Sequence, residues 1–255
     1  MLNANEFTYQ QFKDNRVKLH PEFTEGMSGS LLLATHKKTG ERYIVKHTYP
    51  HNAANEYVAC WLAEKLGVPA PTALLLSPNR LFSSQYAVAI SYIDDLTGFD
   101  KTKVPANLHN DLIGQFTLNI LIANDDKLQL GMAGRHIYSY DFSEAFNVSD
   151  DLLYQAFCFN NNLGISLIKQ KIDSFRDYLD HVDFDIPGLA LEFNLDPKRQ
   201  QSGMIETAER VLDIKEDEIE ALAYELMKAY PVGYIKYYKE CLRAIHNLVN
   251  RMSQE

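Results

Sequence analysis

Over the first part of the chain, apolar residues alternate with polar ones or run together in short blocks; over the rest they recur at helical spacing. Ser30 to Thr35 is a short apolar run, Lys37-Lys38-Thr39-Gly40 reads as a turn, and Glu41 to His47 reads as a strand, so the pair predicts a hairpin. From Asn55 to Leu66, the apolar residues Val58, Trp61, Leu62 and Leu66 fall at helical spacing. Gly67 supplies the residue past the helix end, and Pro69 and Pro71 prevent its continuation. Thr72 to Leu76, Leu81 to Phe82 and Gln85 to Ile90 predict further strands. Between Ser91 and Gly98 the chain turns polar and acidic, as a connection would.

The period then changes. His109 to Ala123 is helical through Leu112, Ile113, Phe116 and Ile120. Two short strands follow, near Leu128 to Ala133 and His136 to Tyr140, joined at Gly134. After Asp150 the pattern is mostly helical, most clearly from Glu216 to Tyr230 and from Gly233 to Met252, with Pro231 between them. Gln200 to Gly203 reads as a loop. No internal repeat is present. The expected class is α+β, with a β-rich unit over residues 1–93 and a mainly helical one over 94–255.

Composition narrows the partners. The net charge of −9 argues against nucleic acid, whose phosphates need a basic face. Apolar runs such as Tyr86 to Ile90 are far short of a membrane span, and Met1 to Lys13 is polar with no apolar signal core. Cys60, Cys158 and Cys241 are isolated, which suits buried thiols better than a disulfide or a zinc site. Together these features predict a cytoplasmic protein with no membrane span.

Four places can carry chemistry. Gly26-Met27-Ser28-Gly29-Ser30 precedes a strand, and a small-residue loop lets backbone N–H groups approach phosphates; an ordinary hairpin connection reads the same way. It is not a Walker A sequence. Lys46 ends an apolar strand, and Glu56 follows ten positions later in a helix, the spacing of a phosphate-orienting ion pair. A snorkelling lysine and a helix N-terminal carboxylate are the plain alternatives. Asp126, in Asn124-Asp125-Asp126-Lys127, could accept the proton of a substrate hydroxyl, or simply belong to a polar loop. Asp141 lies between Tyr140 and Phe142, where a charge needs a partner. The hairpin between Asp126 and Asp141 would bring both carboxylates to one edge.

The loop Met27-Ser28-Gly29-Ser30 with Lys46, the Asn55-Glu56-Tyr57 helix ending Leu66-Gly67-Val68-Pro69-Ala70-Pro71, Asn124-x-Asp126-Lys127, and Tyr140-Asp141-Phe142 together resemble the HipA-like kinases, a bacterial branch of the protein-kinase-like superfamily similar to phosphatidylinositol kinases. Tyr230-Pro231 before a long helix is similar to the end of the compact HipA-like domains. The resemblance implies a two-lobe kinase fold and Mg-ATP as cofactor. It makes Ser28, Gly29, Ser30, Lys46 and Glu56 the phosphate-side residues and Asp126, with Lys46, catalytic. Asp141 becomes the Mg²⁺ ligand. Ile90 to Ile93 becomes the hinge, offering Ser91, Tyr92 and Ile93 backbone groups to adenine. The implied activity is phosphorylation of Ser or Thr on a protein.

The family pattern continues Asn-x-Asp-Arg-His-x-x-Asn, and its last Asn helps bind Mg²⁺. Here the histidine position is Leu128 and the asparagine position is Gly131. Gln129 takes that place only if the loop is a residue or two shorter than the family's. If the loop has family length, Gly131→Asn is expected to speed transfer. The alternative function is a catalytically weak or inactive kinase-like protein that acts as a nucleotide-binding or protein-binding regulator.

Overall fold

A strand that is central in its sheet is paired on both edges, and β3 (Arg42–Thr48) holds that place here. The five-stranded sheet runs in the order β1-β2-β3-β5-β4. Its other strands are β1 (Phe7–Gln11), β2 (Ser30–His36), β4 (Ala73–Leu76) and β5 (Tyr86–Ser91), and every neighbouring pair is antiparallel. The computed structural model describes residues 3–12, 30–48, 50–76, 86–125, 128–147, 162–184 and 186–254. The predicted strand Leu81 to Phe82 lies outside these residues, as do Ser28, Gly29 and Asp126 of the expected site.

The β2–β3 hairpin forms where its turn residues predict it, with Gly40 at φ +73°. Alternation along β3 sorts its side chains. Val45 enters a small core with Ala4, Phe7, Ala34, Leu76, Ala87 and Ala89. Lys46, on the opposite face, sits between Leu31 of β2 and Val88 of β5. Val88 belongs to the larger core, which includes helix α1 (Pro50–Leu66).

Helix α1 starts five residues earlier than its sequence pattern predicts. The reason is burial on nearly all sides: Pro50 through Glu56 are all buried, polar residues included, so no apolar stripe marks the first turns. Pro50 is tolerated because a first-turn proline removes no intrahelical hydrogen bond. The helix ends where expected, with Gly67 at φ +64°.

The second part holds α2 (His109–Leu121), the two-stranded pair β6 (Leu130–Ala133) and β7 (His136–Ser139), then α3 (Asn162–Asp180), α4 (Pro187–Glu192), α5 (Pro197–Glu209), α6 (Glu216–Met227) and α7 (Val232–Met252). Helix α2 packs on α5, and α3 and α6 pack on α7. The expected loop at Gln200 to Gly203 lies inside α5. Gly203 is there for packing: a Cβ on it would stand 3.2 Å from Cγ2 of Ile113 in α2. The larger core runs without a break from α1 and β5 to α7, so α1 is packed against both the sheet and the helical part. The fold is α+β, sheet-rich first and helical afterwards.

Among the described residues, no helix is long and apolar enough to cross a membrane. Cys60 and Cys241 are buried free thiols, and burial pushes both up from the ordinary thiol range.

Candidate active site

Three charged side chains from three elements meet behind the sheet. Lys46 Nζ from β3 donates to Oε1 of Glu56 in α1. It also donates to Oδ1 of Asp141, just past β7, at 2.9 Å. The three are deeply placed: side-chain exposure is 14% for Lys46, 0% for Glu56 and 26% for Asp141. A lysine so enclosed is not a snorkelling surface residue, and Glu56 is not merely a solvated first-turn carboxylate.

The electrostatics follow from two carboxylates sharing one ammonium in a poorly hydrated place. Burial pushes the Glu56 carboxyl up to about 8; the Asp141 charge adds to this and Lys46 opposes it. Burial works against the Lys46 ammonium too, but the charges of Asp141 and Glu56 outweigh it and hold the lysine above its ordinary value. For Asp141, burial would raise the carboxyl, yet the Lys46 ammonium dominates and holds it below the usual range. Among the described residues, Oε2 of Glu56 is buried and has no hydrogen-bond partner, an uncommon state for a carboxylate oxygen.

Asp141 has further contacts. Gln129 Nε2 donates to its Oδ2 at 3.2 Å, and the Ser143 N–H donates to its Oδ1 at 3.4 Å. Gly131, by contrast, lies in β6 opposite Tyr138 and is buried. Among the described residues, Gln129 is therefore the side chain that reaches the carboxylate from the segment before the hairpin.

A second set of contacts was not foreseen. Asn55 Nδ2 and Asn52 Nδ2 both donate to the Ser143 carbonyl, at 2.7 and 3.0 Å, and Asn52 also donates to Glu144 Oε1 at 2.9 Å. The signal in the sequence is Asn52, Asn55 and Glu56 at i, i+3 and i+4, one face of a helix. A polar face in an otherwise apolar helix needs buried partners.

Of the expected phosphate loop, Ser30 is the first residue of β2, paired with His47. At the other end of the sheet, the Ser91 N–H donates to Thr72 O at 2.8 Å and the Tyr92 N–H to Arg42 O at 2.9 Å. Those two amides are engaged within the sheet. Ile93 follows them, and among the described residues its N–H has no partner. The Tyr92 ring packs against the Arg42 guanidinium, 4.7 Å from its centroid, and Arg42 pairs with Asp94.

No family model and no curated protein matches the chain. Among solved structures, it is similar to the crystal structure of a Helicobacter pylori proinflammatory kinase, CtkA. The two share 14% identity over 90% of this chain and 94% of that one, with a TM-score of 0.54. The likeness spans nearly the whole of both chains and shows a kinase-like fold.

Proposed function

We propose that the chain is an ATP-dependent kinase of HipA-like type, transferring the γ-phosphoryl group of Mg-ATP to Ser or Thr of a protein. The observation that carries this reading is the buried meeting of Lys46, Glu56 and Asp141. A lysine steered by a helical carboxylate is suited to hold phosphate oxygens, and an aspartate beside it is suited to a divalent cation. The nucleotide would lie between units 1–93 and 94–255, against the Ile93 backbone, with Ser28, Gly29 and Ser30 over its phosphates.

The residues present fit Mg²⁺. Among the described residues, no group of three or more His, Cys, Asp or Glu side chains could hold a metal alone. Mg²⁺ does not need one, because it is commonly bound by one or two carboxylates together with substrate phosphates. Here two carboxylates face one ammonium, Oε2 of Glu56 lacks a partner among the described residues, and the Gln129 carboxamide touches Asp141. Asp141 and Gln129 would hold the ion, Gln129 after turning its carboxamide oxygen inward. Bound Mg²⁺ would offset charge on the phosphates as the γ-phosphoryl group leaves. Lys46 would grip phosphate oxygens while Glu56 keeps its head group in place, and Asp126 would orient the acceptor hydroxyl and take its proton.

A second reading, a kinase-like regulator that binds nucleotide or protein without transfer, is favoured by Gly131, which has no side-chain oxygen to offer a metal. Incorporation of labelled γ-phosphate into cell extract separates the two. Under the kinase reading, Asp126→Asn lowers incorporation by about 10²–10⁴-fold and leaves ATP binding intact. Equal background for wild type and variant, with both binding ATP, supports the regulator.

A further inference from the structure

We propose that Tyr238, near the far end of the chain, is a positioning residue for the Lys46–Glu56–Asp141 cluster, acting through Asn55. The inference rests on reading that cluster as the nucleotide site and adds a residue outside it.

Tyr238 lies in α7 and is 1% exposed. Its hydroxyl donates to Asn55 Oδ1 at 2.6 Å across 183 positions of sequence and lies 3.4 Å from the His51 carbonyl. The other end of the Asn55 carboxamide donates to Ser143 O at 2.7 Å. A carboxamide has a donor end and an acceptor end of nearly the same shape, so its neighbours decide which way it faces. The Ser143 carbonyl only accepts, so it holds the NH₂ on its side and turns the oxygen toward Tyr238, whose hydroxyl donates to it. Without that hydroxyl, the buried Asn55 Oδ1 loses the Tyr238 donor and the carboxamide loses one of its two anchors.

The consequence reaches the charges because both ends of the link adjoin them. Asn55 is next to Glu56 on α1, and the Ser143 N–H is hydrogen-bonded to Asp141 Oδ1. Fixing Asn55 to Ser143 thus fixes the helix carrying Glu56 to the turn carrying Asp141. The same turn is held from α7 a second time, where the Tyr237 hydroxyl donates to the Phe146 carbonyl. Phe146 itself has a left-handed backbone at φ +60° and packs edge-on against the Tyr238 ring, with centroids 5.5 Å apart. Tyr238 thus touches both the helix and the turn.

The test is competitive acetylation of lysines followed by mass spectrometry, on the full chain without nucleotide, with Mg-ATP affinity measured alongside. In Tyr238→Phe, Lys46 should label up to about ten-fold faster, the factor one buried hydrogen bond is worth, while exposed Lys103 labels as before. Mg-ATP should bind more weakly by a similar factor. Asn55→Ala removes the same link from the α1 side and should behave alike if Tyr238→Phe folds poorly. Unchanged Lys46 labelling in both folded variants overturns the proposal. If wild type fails to bind Mg-ATP, the nucleotide reading falls, and the labelling ratio still decides whether Tyr238 positions the cluster.

Discussion

Cγ of Leu96 lies 2.7 Å from the point where a Cβ on Gly131 would stand, and its Cδ1 lies 2.8 Å away. The glycine is therefore a packing requirement of β6. Leu96 is itself 6% exposed and is pinned beside the strand by the paired hydrogen bonds of Thr97 and Met132, 2.9 and 2.7 Å. This contact argues against the expectation that Gly131→Asn would restore a metal ligand, since the new side chain would have to displace Leu96 first. Overpacking of this kind costs about 1–3 kcal/mol. Urea unfolding should show a lower midpoint for Gly131→Asn, with no gain in phosphate transfer. Wild-type stability together with faster transfer would refute this account of the hairpin.

Gly67 ends α1 at φ +64°, and a Cβ there would meet Nη1 of Arg210 at 3.0 Å. That guanidinium donates to the last helical carbonyl, Leu66 O, at 2.6 Å. Gly67→Ala should cost about 1–2 kcal/mol from the left-handed backbone. It should also loosen the Arg210 cap. Chemical denaturation of Gly67→Ala and Arg210→Ala checks this, and a Gly67→Ala protein as stable as wild type would contradict it.

Glu56 gives a pH dependence with a definite sign. Its carboxyl stands at about 8 in the folded chain against an ordinary 4.5. The folded state therefore binds that proton more tightly than the unfolded chain, so the contribution is complete below pH 4.5 and is lost as the pH rises through about 8. Asp141 has the opposite sign, because Lys46 lowers its carboxyl: its contribution is present above 3.8 and lost on acidification. In EDTA, the melting temperature should fall between about pH 5 and pH 8, and Glu56→Gln should flatten that fall. An equal slope in both proteins would show that Glu56 does not hold the proton.

Strands and turns were legible because alternation and glycine placement are local: β2, the Gly40 turn, β3 and the end of α1 at Gly67 stand where the sequence puts them. Lys46 and Glu56 were legible as a pair through their spacing. What escaped was decided by contacts distant in sequence. The first turns of α1 are buried by neighbours on several sides, which erases the stripe that marks a helix. Gly203 reads as a breaker until Ile113 is seen against it. β1 was missed because its alternation, in Phe7-Thr8-Tyr9-Gln10-Gln11, fades after two residues. Asn55 and Tyr238, 183 positions apart, carry no mutual signal in a single sequence. In the sequence Gln129 reads only as a substitute for Gly131, and its contact with Asp141 depends on where β6 begins.

The central claim is that Lys46 and Asp141 form the phosphate and metal end of a nucleotide site. Isothermal titration of ATP into wild type, Lys46→Met and Asp141→Ala, each with Mg²⁺ and with EDTA, measures it most directly. Wild type should bind more tightly with Mg²⁺ than with EDTA. Asp141→Ala should lose that difference, and Lys46→Met should weaken binding in both conditions. Equal affinities for all three proteins, or no binding by wild type at millimolar ATP, would contradict the claim.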